Sequence, residues 1–366
     1  MNKDLSSFAA HLRELILAPE PPAGGASGSK IKERLPSFPN FDLLARELFA
    51  LQFKHNAAYR RICGARGMTP QVVEHWTQIP VVPAAAFKEL ELTSLAPAER
   101  VAVFHSSGTT EQKSSRHFHS PESLSVYEAS LWVWFRHHFD DLGEAVFLTP
   151  DGKAAPRSSL VHMFESVRQR FGLPESAFTG TISSDGSWTV DFDPTIERLK
   201  AAVDLGRPLT LLGTAFSFVH LLDHLAENDL EFQLPAGSRV METGGYKNRS
   251  RVLPKTELHA LITERLGVQR GDILCEYGMS ELSSQAYARE GHFYFPPWAR
   301  VQIISPETGR EAADGETGIL RIFDLANVFS VAAIQTEDLG VRRREGFELM
   351  GRAQLAEPRG CSLMAA

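Results

Sequence analysis

The run FHSSGTTEQKSS, residues 104–115, sets four serines, a glycine, two threonines and a lysine behind a short apolar stretch. Backbone N–H groups of a glycine-containing turn, ringed by hydroxyls and one ammonium, surround a phosphate well. Ser106, Ser107, Gly108, Thr109, Thr110 and Lys113 are therefore phosphate candidates. Gln112 stands where a nucleotide-switch loop has its glycine before the lysine, so the match to that loop is weak. A second run, LCEYGMSELSSQ (274–285), ends an apolar stretch in Tyr277-Gly278-Met279-Ser280-Glu281. Tyr277 offers a flat ring for a base, Gly278 lets backbone approach a ligand, and Glu281 is a hard oxygen ligand suited to Mg2+. In METGGYK (241–247), Gly244 and Gly245 leave room for a flat ring. In QTEDLG and ELMGR, Asp338 can hold ribose hydroxyls and Arg352 ribose or phosphate. Taken singly, each also reads as an ordinary turn: a hydroxyl-rich loop, a packed tyrosine, a hairpin with surface charge.

The thiols and imidazoles are less patterned. Cys63, Cys275 and Cys361 form neither a disulfide framework nor a CxxC pair. Cys63 and Cys275 read as small buried apolar residues. Cys361, in EPRGCSLMAA, stands two residues from Arg359, whose charge favours the thiolate. His220 and His224 have the spacing of metal ligands on a helix, but no glutamate lies between them and no third ligand is apparent. His105, His117, His119 and His162 flank the segments leading to the phosphate-like loop and read as packing or surface residues.

The elements that must position these residues follow from periodicity. Helical spacing covers 5–18 and 41–63, with a Pro/Gly/Ser-rich flexible loop at 19–30. Residues 79–92 read as an extended entry and a helix or turn. From 101 short apolar strands alternate with helices: strands at 101–105, 144–150, 208–214, 238–245 and 272–281, helices at 121–139, 158–172, 193–206, 216–228 and 254–268. That alternation predicts an α/β fold with a largely parallel sheet. From 298 the chain is strand-rich with glycine turns, which predicts a smaller antiparallel sheet or barrel. The organisation expected is an N-terminal helix and loop over 1–40, an α/β core over 41–297, a β-rich subdomain over 298–352 and a tail over 353–366. Phe135, Phe139, Phe164, Phe178, Phe216 and Phe218 suit either the wall of an apolar channel or core.

The chain has 366 residues, 43% hydrophobic and 23% charged, with a net charge of −7. That balance supplies no basic field for nucleic acid or anionic lipid. No apolar run reaches the roughly 20 residues that span a bilayer. The first residues read as an amphipathic helix, not a secretory signal. The expectation is a cytoplasmic, reduced protein.

In order, the hydroxyl-rich loop, the glycine pair, the Tyr-Gly-Met-Ser-Glu turn, Thr336-Glu337-Asp338 and Gly351-Arg352 resemble the ANL superfamily of adenylate-forming enzymes. IPVVPAAAFKELEL, SSGTT…KS, GGYK, YGMSELSSQ and RGCSL are similar to the acyl-protein synthetase (LuxE-type) family within it. The resemblance covers about residues 75–363. It implies the large N-terminal domain of the superfamily, an α/β fold of mixed, largely parallel sheets with helices and a smaller β subdomain, without the usual full C-terminal domain. It implies activation of a carboxylic acid, long-chain fatty in this family, by ATP and Mg2+ to an acyl-AMP. The acyl group would then pass to Cys361 and on to a reductase-like or carrier partner. By the same resemblance the 106–113 loop meets the ATP phosphates, while Gly244, Gly245 and Tyr277 flank adenine. Ser280 touches the adenylate phosphate or the substrate carboxylate, Glu281 holds Mg2+, and Asp338 and Arg352 hold the ribose. Glu111 replaces a usual glycine. Only fourteen residues follow Arg352, none of them a lysine; the charge that a C-terminal-domain lysine brings to adenylation would come from Lys113, Lys247 or Arg249. The alternatives are an acid adenylase delivering to CoA or a carrier protein, and a non-catalytic adenylate-binding subunit.

Overall fold

The structure is a computed structural model and describes residues 2–18, 38–106, 113–244, 253–289, 291–344 and 346–352. Three helices come first: α1 (Lys3–Leu17), α2 (Phe41–His55) and α3 (Ala57–Ala65). The single helical stretch expected over 41–63 is broken at Asn56, whose side chain accepts from the Tyr59 N–H and caps α3. After β1 (Val82–Pro83) and α4 (Ala86–Glu89), the strands β2 (Ala102–His105) and β3 (Arg116–His119) form an antiparallel pair apart from the main sheet. Their last rung joins His105 to Arg116, so the hydroxyl-rich loop springs from the open end of this pair.

The alternating region follows as α5 (Pro121–His138), β4 (Glu144–Phe147), α6 (Ser159–Phe171), a hairpin of β5 (Gly180–Ile182) and β6 (Trp188–Val190), α7 (Phe192–Leu205), β7 (Leu209–Thr214), α8 (Ala215–Glu227), β8 (Arg239–Thr243), α9 (Lys255–Leu266) and β9 (Ile273–Tyr277). Helix α5 starts where the pattern says: Ser120 accepts from the Ser123 N–H, and Pro121 occupies the first turn. Strands β4, β7, β8 and β9 lie in that order, all parallel. Both faces of a parallel sheet are covered, so these strands are largely apolar and successive side chains divide between two cores. Phe147, Leu212, Met241 and Leu274 join the core that holds α5 and α6, with Phe135 and Phe164. Val146, Leu211, Val240 and Ile273 join the core under α7, α8 and α9, with Phe218, Leu222 and Ile262. The six phenylalanines considered for an acyl channel are thereby split: Phe135, Phe139 and Phe164 lie in the first core and Phe218 in the second.

Strands β10 (Ala286–Arg289) and β11 (His292–Tyr294) carry the sheet onward, antiparallel, to β15 (Gly346–Arg352), β14 (Ala333–Arg343), β13 (Thr317–Asp324) and β12 (Ala299–Ile304). The strand-rich segment after 298 is antiparallel as its pattern suggests, and it is hydrogen-bonded into the same eleven-stranded sheet. The connection from β13 to β14 is a buried polar hub. The Asp324 carboxylate accepts from the Ser283, Ser284 and Ala326 N–H groups and from the Ser284 hydroxyl, all at 2.7–3.0 Å. Gln52 of α2 donates to the Asn327 carbonyl and accepts from the Ala332 N–H. Asn56 donates to the Ser330 carbonyl. Among the described residues no helix is long and apolar enough to cross a membrane.

Candidate functional site

The described candidates gather at the carboxyl ends of β8 and β9, where open α/β sheets leave a crevice for ligands. Gly244 follows β8 with φ of 72°, a left-handed conformation that disfavours a side chain. Beside it β9 runs into the turn at 277–281. A Cβ on Gly278 would stand 2.5 Å from the Glu276 carboxylate, so a glycine is needed for the chain to turn over that group.

Two sets of contacts meet here. In the first, the Ser106 hydroxyl accepts from the Ser115 N–H at 3.0 Å, and the Ser115 hydroxyl lies 3.3 Å from that of Ser280. Ser280 donates to the Glu281 carboxylate at 3.1 Å. His117 of β3 reaches the Ser280 carbonyl through Nδ1 at 2.9 Å; a carbonyl only accepts, so Nδ1 carries the proton. Asn327 of the hub donates to the Glu281 carbonyl. The base of the loop and the glutamate turn are thus tied by buried hydrogen bonds. In the second set, the Tyr277 hydroxyl donates to Asp338 at 2.8 Å, and Arg352, opposite Asp338 across β14 and β15, approaches it to 3.8 Å.

Electrostatics follow burial. Burial raises the Glu281 carboxyl above its ordinary range, against the Ser115 and Ser280 hydroxyls and the Arg352 charge. Burial likewise raises Asp338, opposed by the Tyr277 hydroxyl and Arg352. Arg352 therefore bears on both carboxylates and links the two sets. Burial holds His117 down at about 4, so the imidazole is neutral. Glu276, on the β9 rung beside Thr243, accepts from the Thr243 hydroxyl, and burial pushes its carboxyl up to about 7.

Ser106, Gly244, Tyr277, Ser280, Glu281, Asp338 and Arg352 thus share one region. Lys113 does not turn to it: its ammonium pairs with Glu89 at 2.9 Å, with both side chains more than half exposed. Ser107, Gly108, Thr109, Thr110, Gly245 and Cys361 lie outside the described residues, as do Glu111, Lys247 and Arg249. The rings of His220 and His224 pack on Phe216 and Phe192, at 4.2 and 3.9 Å. Cys63 and Cys275 are buried free thiols. Ser115, Asp324 and Asn327 escaped the sequence reading, and His117 passed there for packing. The only signal was the serine-rich tail of each motif, Ser114-Ser115 and Ser283-Ser284.

Comparison with known proteins points one way. The profile of a family described as acyl-protein synthetase, LuxE, matches residues 31–366. A long-chain-fatty-acid–luciferin-component ligase of Aliivibrio fischeri is 27% identical over 344 residues, 89% of this chain and 87% of that one. The ligase of the same description from Vibrio harveyi is 26% identical over 336 residues, 87% and 85% of the two chains. Among solved structures, 2-hydroxyisobutyryl-CoA ligase in complex with 2-HIB-AMP superposes with a TM-score of 0.62 at 13% identity, over 88% of this chain and 72% of that chain. That likeness is one of fold: the adenylate-forming α/β architecture expected from the order of the motifs.

Proposed function

From a chain that belongs to the LuxE acyl-protein synthetase family, we propose an ATP-dependent ligase that activates a long-chain fatty acid as its acyl-AMP and transfers the acyl group to the thiol of Cys361. The observation that carries the reading is the family match, which spans both the Tyr277–Glu281 turn and Cys361. Further support comes from the convergence of Ser106, Ser280 and Glu281 beside Tyr277, Asp338 and Arg352.

A carboxylate is a poor electrophile because its leaving group would be oxide. In the first step a carboxylate oxygen attacks the α-phosphorus of ATP, the bond to the β-phosphate breaks, and pyrophosphate leaves. The loop residues Ser106, Ser107, Gly108, Thr109, Thr110 and Lys113 hold the phosphates. Lys113 is free to swing to them because an exposed ion pair such as that with Glu89 holds with only ~1 kcal/mol or less. Tyr277 and the glycines at 244 and 245 flank adenine, and Asp338 and Arg352 hold the ribose. Ser280 donates to the reacting carboxylate or phosphate. Glu281 suits Mg2+, being a buried carboxylate among hydroxyls, all hard oxygen donors. That ion would offset the charge of the phosphates. In the second step the Cys361 thiolate attacks the acyl carbonyl, AMP leaves, and a thioester forms. A partner protein then takes the acyl group.

Incubation with ATP, Mg2+ and a labelled fatty acid tests the scheme. Label attaches to the protein and is lost in Cys361→Ser, while pyrophosphate release persists. Label that survives this substitution overturns the assignment of Cys361. Turnover that depends on CoA favours delivery to a free thiol instead. Acid-dependent pyrophosphate exchange disappears in Glu281→Ala; unchanged exchange removes the metal role.

A further inference from the structure

Beneath α9, on the sheet face away from α5, lies a second cluster that the ligase chemistry does not use. Glu242 of β8 and Cys275 of β9 are paired across the two strands. His259 projects from α9 onto both: its Nε2 is 3.5 Å from Glu242 Oε1 and 3.7 Å from Cys275 Sγ. One ligand atom from each of the three residues falls within 4.8 Å of the others. Glu242 is fully buried, and neither carboxylate oxygen has a hydrogen-bond partner of good geometry. A carboxylate in that position calls for a cation.

One cation is near. Lys255, a turn before His259 on α9, brings its ammonium to 3.0 Å from Glu242 Oε1. It does not saturate the cluster, since it leaves the thiol and the imidazole side by side without a role. A tetrahedral ion bound at Zn–S of about 2.3 Å and Zn–N of about 2.0 Å holds its S, N and O ligands roughly 3.3–3.6 Å apart. Two of the measured separations nearly match that spacing.

We propose that Glu242, His259 and Cys275 form a binding site for a borderline-soft divalent ion such as Zn2+, with Lys255 as the cation that occupies Glu242 when the metal is absent. The ligand set is one carboxylate, one imidazole and one thiolate, with a fourth position open to water. Binding releases the Cys275 proton, so affinity falls as pH is lowered. The charges close: one divalent ion balances one carboxylate and one thiolate. The displaced ammonium keeps a partner, because Lys255 already lies over the Phe293 ring at 5.1 Å. His259, with 12% of its side chain exposed, is the side from which the ion enters. Glu242 stands two residues before Gly244 and Cys275 two before Tyr277, so the ion braces the strand ends that carry the adenine-flanking residues.

The experiment is a titration of chelator-stripped full-length protein with Zn2+ and, as a spectroscopic probe, Co2+. One ion binds per chain, and Co2+ gives a near-ultraviolet thiolate charge-transfer band. Cys275→Ser abolishes the band and weakens Zn2+ at least as much as the roughly 10- to 100-fold typical of losing a metal ligand's outer partner. Cys361→Ser keeps both, and Lys255→Met, which removes the competing cation, tightens Zn2+. Should Cys275→Ser not fold, His259→Gln gives the same reading through loss of stoichiometric Zn2+. Binding no tighter than that of His259→Gln overturns the proposal. So does a band that survives Cys275→Ser and vanishes in Cys361→Ser.

Discussion

The buried polar groups on β3 and those beneath α9 meet the same low-dielectric surroundings and answer them in opposite ways. On β3, His117 and His119 are stripped of charge: burial holds the first at about 4 and the second well below its ordinary value. Each then has a neutral partner at Nδ1, the Ser280 carbonyl and the Ser123 hydroxyl, while His119 Nε2 stays buried without a hydrogen bond. Their ring centroids lie 4.3 Å apart with the planes tilted by 43°, and that of Phe104 lies 4.6 Å from His119. Beneath α9, burial opposes the Glu242 charge, yet His259, the Lys255 ammonium and Cys275 outweigh it and hold the carboxyl down at about 2. A neutral cluster survives the loss of one member at moderate cost, whereas a charged one cannot spare its counter-charge.

The largest effect should come from Lys255→Met in metal-free protein. Removing one partner of a buried pair costs about 3–5 kcal/mol; with Lys255 38% exposed and screened by water, the lower end of that range is expected, read as a lower urea midpoint. A loss under 1 kcal/mol would mean that Glu242 is protonated and the contrast is false. Next is the pH dependence of the β3 cluster. His117 titrates at about 4 when folded against an ordinary 6.5, so between these values the unfolded chain binds the proton and the native chain does not. Stability therefore falls as pH drops from 6.5 to 4, by on the order of 3 kcal/mol for this group. The titratable groups around it are His119 and, beyond Phe104, His162, which bonds Glu128; burial of His119 acts in the same direction. His117→Asn, whose amide still donates to Ser280, flattens this slope at pH 4–6.5. An unchanged slope would show that His117 is not the titrating group. Smaller still, Ser115→Ala should cost about 1 kcal/mol and raise the Mg2+ requirement of pyrophosphate exchange, because it unties Ser280 from the loop. Glu89→Gln should change stability by less than ~1 kcal/mol, the value of an exposed pair.

Regions whose signal is local were legible in the sequence. The parallel strands and their helices repeat on one period. Gly172 ends α6 at φ of 68° within a residue of where the pattern puts it. Legible too were Gly244, Tyr277, Ser280 and Glu281, since a strand running into a glycine turn is written in consecutive residues. The hairpin of β5 and β6 was passed over although Asp185-Gly186 marks its turn. The joining strands β10 and β11 were passed over because three or four residues carry little period. What tied the site together could not be read at all. Ser115 meets Ser280 across 165 positions and His117 meets it across 163, and no neighbouring residue records that meeting.

The hub between β13 and β14 also sets an order of assembly during synthesis. Gln52 and Asn56, translated well before the hub, find long-range partners at Asn327, Ser330 and Ala332. The turn that carries Glu281 waits for the same segment, through Asp324 and Asn327. A nascent chain arrested at residue 320 would hold β4, β7, β8 and β9 and still lack the clamp on its N-terminal helices and its glutamate turn. The parallel core has its strands in hand early; the N-terminal helices and the glutamate turn are fastened later, by the one segment 324–332.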